Sequence, residues 1–113
     1  MLYKFRMNEE IDDEKGIKLY QHEWERAIKE HLQIVAKRLE IDLSYVTEEV
    51  EAYKGAIIDT ENKGEKIRIM AIRHFAEAME LDIRNQIKFV KQRIIFHENN
   101  IKQLQELIDV IEN

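Results

Sequence analysis

Four histidines, one serine and several close-set carboxylates are the side chains of this chain that could do chemistry, and there is no cysteine. A helical di-metal carboxylate site needs Glu-x-x-His on facing helices, which puts both ligands one turn apart on one side. The residues three positions before His22, His31, His74 and His97 are Leu19, Ile28, Ala71 and Ile94, so that motif is absent. His74-x-x-Glu77 has the reverse order and reads as a surface ion pair or hydrogen bond. His31 and His97 fall on apolar stripes, where a histidine ordinarily satisfies itself in a core or sets register. Ser44 is the only serine and reads as a helix cap rather than a nucleophile. Three glycines, Gly16, Gly55 and Gly64, leave no glycine-rich phosphate loop.

Two short stretches carry resemblances. Arg68 and His74 form Arg-x5-His, a spacing that resembles the active-site motif of the HEPN family of all-helical ribonucleases. A polar residue normally follows the arginine in that family, and Ile69 follows it here. Glu48-Glu49-Val50-Glu51, followed by Glu65-Lys66-Ile67-Arg68, is similar to the helical nucleotide pyrophosphohydrolases of the MazG-like type. There a glutamate-rich helix and a later Glu-x-x-Asp hold magnesium, a hard cation that takes oxygen ligands. The resemblance implies a magnesium-dependent hydrolase using Glu48, Glu49, Glu51 and Glu65, with Glu61 nearby. Arg68 stands at the second acidic position, and Ala52 and Tyr53 follow Glu51 where a further glutamate is expected. The reading preferred is a solvated acidic face. No catalytic residue, metal ligand or cofactor is assigned, and the chain is read as a non-enzyme.

Charge is distributed unevenly. The 113 residues carry a net charge of −5. Residues 1–62 hold a net −6, residues 63–102 a net +4, and the last eleven residues a net −3. Acidic and basic helices that neutralise each other account for this. Nucleic-acid binding through Lys63, Lys66, Arg68, Arg73, Arg84, Lys88, Lys91 and Arg93 is the less favoured alternative, because phosphate backbones call for a clear positive field.

The elements that would position these groups are helices. The chain has no proline, few turn residues and 44% hydrophobic content, which leaves sandwiches and barrels without their turn chemistry. No run approaches the length of a membrane span. The opening heptapeptide is too short and too charged for a secretory signal, so a cytoplasmic location is expected. The expected architecture is an all-α three-helix bundle in a single domain with a long, coiled-coil-like C-terminal helix. Residues 1–16 form an N-terminal arm, 17–40 the first helix, 44–62 the second and 65–112 the third. A break at Asn99-Asn100 would add a fourth helix.

The first helix carries a stripe of Ile17, Tyr20, Trp24, Ile28, His31, Val35 and Leu39. Asp42 and Ser44, whose side chains accept unpaired amide hydrogens, mark the start of the second helix. That helix carries Val46, Val50, Tyr53 and Ile57, and Asn62-Lys63-Gly64 mark its end. The long helix carries Ile69, Ile72, Ala76, Met79, Ile83, Ile87, Val90, Ile94, His97, Ile101, Leu104, Ile108 and Ile111. Its steps alternate three and four except for a repeated four at Ile83 to Ile87, so it reads as a heptad seam with one local shift.

Ile72, Met79, Ile83, Ile87, Val90, Ile94, Ile101, Leu104 and Ile108 are therefore assigned to an oligomer seam. Phe75, Phe89, Ile95, Phe96 and Leu107 lie off that seam. A helix apolar on two sides needs two partners. Trp24, Phe75, Phe89 and Phe96 are the expected partner surface. The expectation is a small interaction protein that homodimerises and binds another protein, as an adaptor or inhibitor does. Its Ile-, Lys- and Glu-rich usage resembles proteins of AT-rich bacteria and their phages.

Overall fold

The computed structural model describes residues 14–112, with side chains described from Gly16 onward. The described residues form two helices, α1 (Glu14–Asp59, 46 residues) and α2 (Lys63–Glu112, 50 residues). Among the described residues all-helical is therefore right, and two helices stand where three or four were expected. Residues 1–13 of the expected arm lie outside the described residues, and residues 14–16 belong to α1.

The missing break at 41–44 has a packing reason. Ala36, Leu39, Leu43, Val46 and Val50 follow steps of three and four straight through it, and all are buried or half-buried. Ending the helix there would pull Leu43 off the seam. Asp42 and Ser44 instead sit on the exposed side, so their capping tendency goes unused. The second expected break fails similarly. Asn100 stays helical, and its side-chain amide donates to Glu25 Oε2 at 3.1 Å.

Contacts divide the described chain into a hairpin unit, residues 34–90, and a terminal unit, residues 14–33 with 91–112. In the hairpin unit the two helical segments are antiparallel, joined by residues 60–62. Asn62 caps α2: its Oδ1 accepts the Glu65 amide at 2.9 Å, and its carbonyl accepts the Lys66 amide at 2.9 Å. Glu65 stands where a capping box would turn it back toward Asn62, but its carboxylate takes Arg68 instead. Thr60 Oγ1 accepts the Asn62 amide at 3.3 Å in its place. Replacing Asn62 with Ala is expected to cost about 1 kcal/mol, read as a lower urea midpoint with an unchanged slope.

The core of the hairpin unit is Val46, Ile83 and Ile87, with Leu39 and Leu43 against it. Placing Ala36, Leu43 and Val50 at heptad position a puts Leu39, Val46 and Tyr53 at d. On α2 the unbroken series is Ile69, Arg73, Ala76, Glu80, Ile83, Ile87 and Val90, all buried or half-buried. The expected shift near Ile83 to Ile87 is thus absent. Glu80 occupies the seam position, while Met79 is 54% exposed. A carboxylate is tolerated there because Thr47 Oγ1 donates to Glu80 Oε2 at 2.8 Å and Arg84 lies 3.6 Å from the same oxygen.

The terminal unit uses the same spacing with more polar content. His22, Glu25, Lys29 and Leu32 of α1 face Ile94, His97, Ile101, Leu104 and Ile108 of α2. Lys29 reaches Glu98 at 3.5 Å. Among the described residues no large side chain is fully buried. Two helices have one seam between them and no interior beyond it.

Candidate interaction surface

The antiparallel pairing decides where the remaining apolar residues point. Residues flanking the seam at heptad positions g and c lie on one side of a helix. In an antiparallel pair those positions of both helices fall on the same side of the hairpin, opposite the e and b positions. In the hairpin unit the g and c positions hold Val35, Arg38, Asp42, Tyr45, Glu49, Ala52, Ala56 and Asp59 on α1, and Glu65, Arg68, Ile72, Phe75, Met79, Asp82, Gln86 and Phe89 on α2. Tyr45, Phe75, Met79 and Phe89 are exposed, Phe75 at 74%. The e and b positions hold Lys37, Glu40, Ser44, Thr47, Glu51, Lys54 and Ile58 on α1, and Ile67, Met70, His74, Glu77, Leu81, Arg84 and Lys88 on α2. The exposed aromatic residues lie on the first side and exposed Ile58, Ile67, Met70 and Leu81 on the second, each among charged residues.

The terminal unit follows the same heptad frame. Ile17, Trp24 and Ile28 on α1 share their side with Phe96, Asn100, Leu107 and Val110 on α2. A groove of about 400 Å³ runs there, lined by Tyr20, Trp24, Glu25, Asn100, Leu104 and Leu107. Arg93 lies 5.2 Å from the Phe96 ring centroid, and His97 packs edge-on to that ring at 5.2 Å. Beneath the groove, His97 Nδ1 donates to Glu25 Oε1, and Asn100 holds the other oxygen of the same carboxylate. Arg26 donates to His22 Nε2 at 2.9 Å. Arginine can only donate, so this nitrogen accepts and the ring proton sits on Nδ1, which is buried with no partner.

The assigned seam residues are placed as follows. Ile83, Ile87, Val90 and Ile108 are buried, and Ile72, Ile94, Ile101 and Leu104 are half-buried. Ile83 and Ile87 are covered by α1 of their own chain. Met79 alone of the set is exposed. The four aromatic residues of the expected partner surface, Trp24, Phe75, Phe89 and Phe96, are all exposed. Phe75 and Phe89 belong to the hairpin unit, Trp24 and Phe96 to the terminal unit. Tyr45 joins this surface unforeseen. The g and c phase of α1 would have found it, had the seam of α1 been read from Leu39 rather than Trp24.

The sites considered for catalysis do not assemble. Glu48, Glu49, Glu51 and Glu61 are exposed, and among the described residues no three His, Asp or Glu side chains are placed to hold a metal ion. Arg68 is held by Glu65, its Nε donating at 2.9 Å. That bond draws the Glu65 carboxyl below its ordinary pKa and raises Arg68. Six residues of helix separate Arg68 from His74, which turns the two side chains about 120° apart. Arg73 and Arg84 likewise meet Glu77 and Glu80. Arg68, Arg73 and Arg84 thus have acidic neighbours on their own helix. No described helix is long and apolar enough to cross a membrane. Set against protein-family models, curated proteins and solved structures, the chain gives no match, so a functional reading rests on this surface.

Proposed function

We propose that this protein is a non-enzymatic protein–protein interaction module, an adaptor or inhibitor in kind, that associates with itself through the hydrophobic residues its helix pair leaves exposed. One observation carries the reading. The seam between α1 and α2 is complete, yet many large hydrophobic side chains remain exposed, the aromatic ones of the hairpin unit at heptad spacing. Scattered exposed hydrophobics are normal on any surface; a continuous patch is an interaction surface. Here Tyr45, Phe75, Met79 and Phe89 share two heptad positions.

Light scattering over a hundredfold range of concentration tests the reading. The expected mass is twice the 13.6 kDa of one chain, falling toward the single-chain value on dilution. A single-chain mass at every concentration would retire self-association.

A further inference from the structure

The two units differ in how charge is placed beside the seam. In the hairpin unit both sides mix exposed hydrophobic residues with acidic and basic ones. In the terminal unit the sides are unlike. Its e and b positions set exposed Leu19 and Ile95 among Glu23, Arg26 and Glu30 on α1, and among Lys91, Glu98, Lys102, Asp109 and Glu112 on α2. From Gly16 onward its g and c positions hold Ile17, Gln21, Trp24, Ile28 and His31 on α1. On α2 they hold Arg93, Phe96, Asn100, Gln103, Leu107 and Val110. Arg93 is the one lysine, arginine, aspartate or glutamate of this set, and its guanidinium lies 5.2 Å from the centroid of the Phe96 ring. Trp24 is 47% exposed, Phe96 50% and Val110 72%. Water therefore meets large apolar groups here with almost no charge between them.

We infer that a second copy of this chain covers the g and c side of the terminal unit, the same side of each copy facing the other. The inference rests on the self-association reading above and assigns it to this one face. A two-fold interface brings a surface against itself, so it suits a surface whose own charges do not collide. The e and b side would need every charge matched by its own copy. The g and c side brings only Arg93, already placed over Phe96. Its polar groups suit a copy of themselves as well. The amides of Gln21 and Gln103 both donate and accept, so each can pair with its counterpart. A partner chosen by charge would find little here to recognise.

Size agrees with a dimer. The helical segments of this unit run about 30 Å and each is about 10 Å wide, which outlines a face of roughly 600 Å². Accessible surface follows the side chains and exceeds that outline, toward the roughly 800 Å² per partner of a standard interface. Trp24 is the residue type that most often anchors such a contact. The groove of about 400 Å³ beside it gives an opposing side chain room to enter.

Trp24 is the only tryptophan, so its fluorescence reports on this face in the unsubstituted chain. Emission and acrylamide quenching are followed over the same concentrations as light scattering. Emission is expected to move to shorter wavelength, and quenching to fall, in step with the doubling of mass. Leu107→Glu on this face and Ile95→Glu on the other provide a matched pair, both starting from exposed positions, with helicity checked by circular dichroism. Leu107→Glu is expected to weaken pairing roughly tenfold or more, because each copy then covers an unpaired carboxylate. Ile95→Glu is expected to leave it unchanged. Unchanged emission on doubling, or a Leu107→Glu chain that pairs as before, would overturn this face and leave self-association standing. Loss of pairing in Ile95→Glu alone would move the interface to the charged side. A single-chain mass for the unsubstituted protein at every concentration would overturn both readings.

Discussion

Replacing Ile87 with Asp is expected to leave the chain largely unfolded at 25 °C. Ile87 is 9% exposed and belongs to the cluster of Val46, Ile83, Leu39 and Leu43. Losing its burial removes about 1.5–3 kcal/mol. An unpaired carboxylate on the seam adds about 3–5 kcal/mol, and Arg84, one turn before it, is already engaged with Glu80. The total rivals the roughly 5–15 kcal/mol that holds a typical domain together. Far-UV circular dichroism and a thermal melt at fixed concentration provide the measurement. Lys88→Asp, one residue along on the exposed side, is the control and is expected to shift stability by no more than about 0.5 kcal/mol. If Ile87→Asp melted like the unsubstituted chain, the seam described here would be wrong.

The second large effect lies in the terminal unit. Glu25→Leu removes the acceptor that holds both His97 and Asn100, and it strands a buried imidazole. His97→Leu strands a mostly covered carboxylate. Either substitution alone is expected to destabilise by about 2–4 kcal/mol, chiefly as the desolvation cost of the abandoned partner. The double substitution, which fills both seam positions with leucine, is expected to return to the original stability or exceed it. Urea titrations of the four proteins close the cycle. Additive single costs in the double variant would show that Glu25 and His97 do not act as a pair.

That polar pair also explains why α1 is the part hardest to read in the sequence. Hydrophobic periodicity locates apolar side chains; it does not say which of them another helix covers. In the first half of α1 the covered positions are His22, Glu25 and Lys29, while Ile17, Trp24 and Ile28 belong to the outer side. Periodicity therefore follows the outer stripe from Ile17 to Val35 and meets the true seam only at Leu39. The phase change between the two stripes imitates a helix end, and Asp42 and Ser44 reinforce it with capping chemistry. Met79 and Glu80 repeat the effect on α2. The more apolar residue is the exposed one, because Thr47 and Arg84 are positioned to receive the carboxylate.

What was legible follows from local rules. An all-helical chain follows from the missing prolines and the three-and-four spacing. The helix end at Asn62-Lys63-Gly64 follows from residues that tolerate the left-handed conformation, while the cap that Asn62 gives α2 came only with the structure. The surplus aromatic residues follow from an α2 that is apolar beyond its seam, and Phe75, Phe89, Phe96 and Trp24 are indeed exposed. The helix count and the phase of α1 required the pairing itself. An antiparallel partner fixes which residues of each helix are shielded from water, and the energy of a buried Glu25 or Glu80 depends on atoms dozens of positions away. No local pattern in the chain carries that information.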